Sequence, residues 1–188
     1  MLARVHWRVV QAGIDPKRLV FLDETFLNTA MTRLYGWGPK DRRVVDLAPQ
    51  SHWKTTTLVL ALRLGGAFAP MVVDGPVNGE LFVAYLRQEL VPLLRPADIV
   101  VMDNLSTHKV KGVAEAVASA DARLLYLPPY SPEFNPIENG FSKIKNEFRR
   151  QRLRTVEAVE AACGLVADWL APKDIQGFFS NAGYPQGG

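Results

Sequence analysis

The sequence has 188 residues, of which 48% are hydrophobic, and it carries a net charge of +3 at pH 7. This length and composition predict one compact, soluble domain. No apolar run approaches the roughly 20 residues that cross a bilayer, and the charges in 2–11 exclude a signal peptide, so we expect a cytoplasmic protein without a membrane partner.

The chain begins with a predicted helix and a predicted strand. Residues 2–13 have helical periodicity, which Asp15-Pro16 ends. Residues 18–25, RLVFLDET, contain an apolar run short enough for a buried strand, and we expect this strand to end at Asp23. An acidic side chain is therefore expected at the end of the first strand.

Two more strands are predicted after a polar connection over 32–43. The apolar segments 54–64 and 67–77 flank Gly65-Gly66, a pattern typical of antiparallel strands joined by a tight turn. Together with the first strand they predict a three-stranded meander.

Strands and helices alternate from residue 79 onward. Residues 79–94 predict a mostly apolar helix, and 98–104, DIVVMDN, predict a buried strand that ends in Asp103. A helix over 109–121 and a short strand over 122–129 follow.

The chain closes with two predicted helices, over 136–153 and 155–170. We expect Asn135 to cap the first helix and Thr155 to cap the second. The only cysteine, Cys163, excludes an internal disulfide and argues against a cysteine-based zinc site, so we expect it in the core.

The order β-β-β-α-β-α-β-α-α defines the fold class. Three antiparallel strands followed by strand-helix alternation predict an α/β fold with a mixed five-stranded sheet and helices on both faces.

Three acidic residues are candidates for a metal site. Asp23 and Asp103 end almost wholly apolar strands, where a carboxylate is costly unless it is paired or binds a cation. Glu138, at the start of a helix, would complete an oxygen-ligand site for Mg²⁺ or Mn²⁺.

Each acid also has an ordinary structural explanation. Asp23 fits a turn beside Glu24, Asp103 fits an Asx turn or a helix cap, and Glu138 complements the positive end of a helix dipole. His108 either leans over this site or is a partly buried hydrogen-bonding residue.

The positive charge is concentrated just after Glu138. Residues 143–154 hold six basic residues and one acidic residue, a net charge of +5. Such a stripe is either a phosphate-binding face or a solvated helix surface. The candidates for phosphate contacts are Lys143, Lys145, Arg149 and Arg150.

Three blocks of the sequence, FLDET, MDNLSTHK and LPPYSPEFNPIENGFSKIK, resemble the catalytic blocks of the mariner superfamily of DDE transposases, specifically its bacterial insertion-sequence branch. The 34 residues between Asp103 and Glu138 match the interval of this superfamily. The resemblance implies a ribonuclease-H-like fold, as in retroviral integrases. It also implies one DDE catalytic domain over 1–188, with an N-terminal helix (1–16), a core (17–150) and a C-terminal helix and tail (151–188).

The resemblance also implies roles for particular residues. Asp23, Asp103 and Glu138 would be the catalytic, metal-binding acids, and Glu24 the neighbouring acid. Further residues expected beside the acids are Asn104, His108 and Asn135. The implied cofactor is Mg²⁺ or Mn²⁺, as two ions. The implied partner is DNA, as transposon ends and target, bound by a homodimer in the nucleoid.

Two other functions stay open. The chain could be a ribonuclease-H-like nuclease that only hydrolyses, or an inactive transposase fragment that binds DNA or dimerises. Only about 20 residues precede the first catalytic strand, whereas members of the family carry helix-turn-helix units there. We therefore expect weak recognition of terminal repeats.

Overall fold

A mixed sheet of five strands forms the centre of the molecule, whose computed structural model describes residues 2–50 and 52–184. The strands are β1 (Leu19–Asn28), β2 (Thr55–Arg63), β3 (Gly66–Asp74), β4 (Ile99–Met102) and β5 (Arg123–Tyr126). Their spatial order is β3-β2-β1-β4-β5. The first three strands pair antiparallel, whereas β1, β4 and β5 pair parallel, as the predicted meander and strand-helix alternation require.

Helices cover both faces of this sheet. The α-helices are α1 (Leu2–Ala12), α2 (Gly79–Tyr85), α3 (Val113–Ala118), α4 (Pro136–Gln151), α5 (Val156–Cys163) and α6 (Pro172–Asn181). Cores built by α1, α4, α5 and α6 on one face and by α2 and α3 on the other confirm the predicted arrangement.

Strand β1 shows why its sequence is apolar without alternation. Leu19 and Phe21 point into the core under α4 and α6, whereas Val20 and Leu22 point into the core under α2. All four side chains are fully buried, because a central strand between two helical layers buries both of its faces.

The prediction that the first strand ends at Asp23 is wrong. β1 continues to Asn28, which pairs with Thr55 of β2. The parallel pairing with β4, however, stops at Leu22 and Met102. Asp23 therefore lies where β1 loses one neighbour and keeps the other, and its side chain faces the gap beyond β4.

Several helix bounds differ from the predictions. The helical path after α2 continues through a π-turn at Leu86–Leu90 and a 3₁₀ turn at Val91–Leu93, as predicted for 79–94. The helix predicted over 109–121 shrinks to α3, because Gly112 before it adopts φ of 101°.

The C-terminal region contains a helix that the sequence analysis missed. The helix predicted over 155–170 ends at Cys163, and α6 begins at Pro172 inside the predicted tail. Proline favours the first turn of a helix and disfavours its interior, so it starts α6 rather than extending α5.

Other predictions for this region are confirmed. Thr155 caps α5 by accepting a hydrogen bond from the Ala158 amide, and Cys163 is fully buried. None of the helices among the described residues combines the length and the apolar character needed to cross a membrane.

Candidate active site

A cavity of about 760 Å³ opens beyond the end of the β1–β4 pairing. We call it the acidic cavity, and Asp23, Asp103 and Glu138 all line it. The first lies in β1, the second directly follows β4, and the third lies in the first turn of α4. The fold therefore brings together the three acids that the sequence analysis selected.

Asp23 is held in place by neutral donors. Its carboxylate accepts a 2.8 Å hydrogen bond from the Glu24 amide and another of 2.8 Å from Asn135 Nδ2. The residue is only 6% exposed. Burial raises its pKa to about 7, the Glu24 bond opposes this, and the charges of Asp103 and Glu138 raise it further.

Asp103 is held in a short turn against a buried histidine. Its Oδ1 accepts a hydrogen bond from the Leu105 amide at 3.0 Å and lies 2.6 Å from His108 Nδ1. Burial alone would raise the pKa of Asp103, but these bonds, together with the charges of His108 and Lys109, lower it. The predicted Asx turn is present, and it coexists with a place in the acidic cavity.

His108 is fully buried behind Asp103. Its ring packs against Phe82 at a centroid distance of 4.5 Å, and its carbonyl oxygen accepts a hydrogen bond from the Tyr126 hydroxyl. The structure agrees with the second interpretation: His108 does not line the acidic cavity and is a packed histidine that contacts Asp103 from behind.

Glu138 is the exposed member of the three. Partial desolvation raises its pKa, the charge of Lys145 lowers it, and the charge of Asp103 raises it again. Its amide donates to the carbonyl of Asn135, which fixes the first turn of α4. Its side chain is exposed at the wall of the cavity.

The expected capping role of Asn135 is wrong in its chemistry. The residue occupies the cap position of α4, yet its side chain makes no capping hydrogen bond. It turns inward and donates to Asp23 instead. The Oδ1 of Asn135, the atom that a helix cap would use as acceptor, is buried and has no hydrogen-bond partner among the described residues.

Glu24 and Asn104 also line the cavity. Burial raises the pKa of Glu24, with the charge of His108 lowering it and that of Asp103 raising it. The side-chain oxygen of Asn104 is buried and has no hydrogen-bond partner within the described part of the chain.

Residues 18–160 match the family model described as a DDE superfamily endonuclease. The chain belongs to this superfamily. No curated protein sequence matches it.

Solved structures of this DDE protein's fold confirm the architecture. The Mos1 mariner paired end complex with Mg is 19% identical, with a TM-score of 0.69 over 90% of this chain and 52% of that chain. The corresponding complex with Mn is 18% identical, with a TM-score of 0.67 over 95% of this chain and 55% of that chain. The catalytic domain of Mos1 mariner transposase is 15% identical, with a TM-score of 0.55 over 92% of this chain and 85% of that chain.

These similarities establish the predicted ribonuclease-H-like fold. The DDE chain spans about half the length of the Mos1 chains in the paired end complexes, and most of the length of the isolated catalytic domain.

The acidic cavity of the DDE protein provides the donor atoms of a divalent-metal site, but not the closed geometry of one. Among residues 2–50 and 52–184, no group of three His, Cys, Asp or Glu side chains is arranged to hold a metal ion. The available donors are nevertheless carboxylate oxygens, which Mg²⁺ and Mn²⁺ prefer. Burial raises the pKa of Asp23, and the negative charges of Asp103 and Glu138 raise it further, so a cation beside this carboxylate would be favourable. The residues fit such an ion.

The basic residues of α4 are not equivalent. Lys143 forms an ion pair with Asp174 of α6, and Arg150 forms two hydrogen bonds with Glu147. Within the described part of the chain, Arg149 forms a side-chain hydrogen bond only with the neutral Asn146. Lys145 is close enough to Glu138 to lower its pKa. Among these four residues, Lys145 is therefore the one that the structure associates with the cavity, which Lys109 also lines.

The sequence analysis missed the apolar mouth of the cavity. Phe26, Leu105 and Tyr130 line it and are 56%, 46% and 97% exposed. Phe26 was missed because the strand was expected to end at Asp23. A better signal was the continued β-branched and aromatic character of TFL after the acids.

Proposed function

We propose that this chain is the catalytic domain of a transposase, which cuts DNA strands at transposon ends and joins the freed 3′ ends to target DNA. The supporting observation is the meeting of Asp23, Asp103 and Glu138 in one cavity, although 80 and 35 positions separate them along the chain. Membership of the DDE endonuclease superfamily supports the same chemistry.

Asp23, Asp103 and Glu138 are the proposed ligands of Mg²⁺ or Mn²⁺, as two ions. When bound, such ions activate a water or 3′-hydroxyl nucleophile and stabilise the leaving oxygen. The similar Mos1 structures include paired end complexes with Mg and with Mn.

The surrounding residues prepare the acids for this role. The Asn135 amide orients the Asp23 carboxylate and leaves its negative charge uncompensated. His108 orients Asp103 from behind, so that one side of that carboxylate is available to the cavity. Glu138, being exposed, is the ligand that moves inward to complete the site. Lys145, near Glu138, is placed to contact a substrate phosphate.

The proposal includes a DNA partner and an assembly. The Mos1 chains are described in paired end, strand transfer and pre-cleavage complexes. By analogy, we infer that this chain acts on transposon ends and target DNA as a homodimer, in association with the nucleoid. The NPIE block at 135–138 supports the bacterial insertion-sequence branch, and one catalytic domain over 1–188 accounts for the fold.

A nicking assay tests this function. A labelled duplex is incubated with Mn²⁺ and either the wild type, Asp103→Asn or the control Asp121→Asn, whose exposed residue at φ of 53° tolerates asparagine. We expect the first variant to lose at least about a thousandfold in rate, since metal catalysis contributes several kcal/mol and about 1.4 kcal/mol is tenfold. The control should match the wild type.

The same assay separates the two other functions. Pre-cleaved ends joined to a target duplex support strand transfer, whereas nicking without joining supports a hydrolysis-only nuclease. A wild type without metal-dependent activity would instead support the inactive fragment.

A further inference from the structure

The loop that delivers Asn135 and Glu138 to the acidic cavity is contacted from behind by both ends of the described chain. This loop, residues 131–136, has one side in the cavity. On its other side, Arg4 of α1 pairs with Glu133, and the Arg8 guanidinium lies 5.9 Å from the ring centroid of Phe134. From the C-terminal end, the Tyr184 hydroxyl donates a 2.8 Å hydrogen bond to the carbonyl of Phe134.

Tyr184 is built into the core rather than resting on it. It is 2% exposed, and its ring meets those of Phe21 and Phe179 edge to face at 5.2 and 5.9 Å. Burial raises the pKa of its hydroxyl, with the side chain of Trp7 opposing this, so the group stays a proton donor at working pH. Phe21 lies in β1, two positions before Asp23. The Tyr184 ring therefore packs against the strand that carries Asp23.

The two chain ends are also tied to each other. Gln11 of α1 donates a 2.9 Å hydrogen bond to the carbonyl of Ala182. Gly183, at φ of 83°, lets the chain pass this side chain, because a Cβ there would lie 2.7 Å from Gln11 Nε2. α1 and residues 181–184 therefore form one unit behind the loop.

Peptide geometry carries the effect of Tyr184 to the acids. The carbonyl group of Phe134 and the backbone N–H of Asn135 belong to one planar peptide unit. The hydrogen bond from Tyr184 fixes this carbonyl and therefore the orientation of the whole peptide unit. That orientation sets the direction in which the Asn135 side chain extends toward Asp23. Glu138 follows within one turn of helix, and its amide bonds to the Asn135 carbonyl.

We propose that Arg4, Arg8 and Tyr184, which we call the brace, position the catalytic loop so that Asn135 and Glu138 reach Asp23. The proposal rests on the proposed function for its consequence in catalysis. All three residues lie outside 18–160, the part of the chain that matches the family model. They are positioning residues, since none of them lines the acidic cavity.

A general loss of stability is the competing explanation, and Tyr85 provides a matched control. Tyr85 is also 2% exposed and also donates a hydrogen bond to a carbonyl, that of Ala69, at 2.7 Å. It belongs to the core on the opposite face of the sheet. Tyr85→Phe and Tyr184→Phe therefore remove the same chemical group from equally buried places, and only the second touches the loop.

The first measurement is cleavage kinetics of the Mn²⁺-dependent nicking of a labelled duplex. For Tyr184→Phe we expect kcat to fall about tenfold or more, with KM for DNA within about twofold, since small misplacements of catalytic groups cost up to about 10²-fold. Tyr85→Phe should keep kcat within about twofold, with a similar decrease in Tm. Equal kcat in the two variants would overturn the proposal.

The second measurement needs no activity. Amide hydrogen exchange of residues 133–138 in the metal-free protein should be at least about fivefold faster in Tyr184→Phe and unchanged in Tyr85→Phe. Unchanged exchange in Tyr184→Phe would overturn the brace. If the wild type fails to cleave DNA, the proposed function fails, and this measurement alone decides the brace.

A surface variant covers the case in which Tyr184→Phe does not fold. Arg4→Ala combined with Arg8→Ala removes two exposed side chains of the brace. It should speed exchange in 133–138 and lower kcat by about threefold or more, whereas the exposed Arg87→Ala on the opposite face should do neither. A double variant indistinguishable from Arg87→Ala would overturn the proposal.

Discussion

Asn135 Nδ2 donates a 2.8 Å hydrogen bond to Oδ2 of Asp23, a residue 112 positions earlier in the chain. The other oxygen of Asp23 accepts from the Glu24 amide, so both donors are neutral. The carboxylate is thus oriented without being paired to a cation. This explains how a buried acid can be positioned in the fold and still have a pKa of about 7.

Metal affinity should depend on pH through Asp23. Its pKa of about 7 means that below neutral pH a proton occupies the carboxylate that the ion needs. We expect Mn²⁺ affinity, measured by titration calorimetry, to be nearly constant above pH 8 and to fall by up to about tenfold per pH unit between 7 and 5. An affinity that stays level across this range would contradict the assignment of Asp23 as a ligand.

Stability without metal should change with pH in a direction set by the same group. The folded-state pKa of Asp23, about 7, exceeds the ordinary value of 3.8. The folded protein therefore binds a proton that the unfolded chain releases, and this stabilisation is full below about pH 4 and lost as pH rises through 7. Asp23→Asn, always neutral, should gain stability over the wild type at pH 8, by at most about 4 kcal/mol, and the gain should vanish near pH 4.

Urea unfolding in EDTA at several pH values measures this difference. Asp103→Asn is the contrasting variant, because hydrogen bonds and nearby charges, acting against burial, lower the pKa of Asp103. The folded state favours the charged form of Asp103, so Asp103→Asn should lower the free energy of unfolding at pH 8. The two substitutions should therefore shift stability in opposite directions, and a shift in the same direction would refute the electrostatic account.

The sequence predicted the acids better than it predicted how they are held. Asp103 ends a short apolar run and Glu138 follows a proline-rich loop, so local signals mark both positions. Asp23 was identified as an acid of the site, but its strand continues because β2 supplies hydrogen bonds, a long-range effect. The inward turn of Asn135 and the bond from Tyr184 join residues 112 and 50 positions apart. Such contacts depend on the assembled fold, and α6 was missed for the related reason that its apolar face is completed by α4.

His108 should support activity through its hydrogen bond to Asp103. His108→Asn keeps a side-chain N–H donor, whereas His108→Ala removes the donor and leaves a cavity beside Phe82. We expect both to lose stability, by about 2–4 kcal/mol for alanine, and the nicking rate of His108→Ala to fall at least about tenfold below that of His108→Asn, since a hydrogen bond to a charged group is worth about 1.5–3 kcal/mol.

Phe82→Leu is the control for packing alone. It disturbs the ring contact with His108 but leaves the bond to Asp103 in place. It should lose stability while keeping most of the nicking rate. Should His108→Asn and His108→Ala be equally slow, the hydrogen bond would have no role in catalysis and only the shape of the ring would matter.

The basic residues of α4 should contribute unequally to DNA binding. Each phosphate contact contributes about one released counterion to the salt dependence of binding, so the loss of one contact lowers the slope by about one. Lys145→Ala and Arg149→Ala should each lower the slope by about one, because these cations have no carboxylate bonded to them in the described structure. Lys143→Ala and Arg150→Ala should change it less, because Asp174 and Glu147 already hold their side chains. Fluorescence anisotropy over a salt series measures the slopes, with Arg87→Ala as the control expected to match the wild type.

Removing Asp174, the acid that pairs with Lys143, should have the opposite effect on DNA binding. Asp174→Ala releases Lys143 from its ion pair on the surface between α4 and α6. Exposed ion pairs are weak, so we expect DNA affinity to rise only modestly, up to about threefold, and the slope to increase by up to about one. This gain should disappear when Lys143→Ala is added, since the acid then has no cation to withhold from phosphate. A gain in affinity that persists in the double variant would mean that Asp174 acts through general repulsion of DNA. A salt slope of Lys143→Ala as low as that of Lys145→Ala would show that the ion pair does not restrain Lys143.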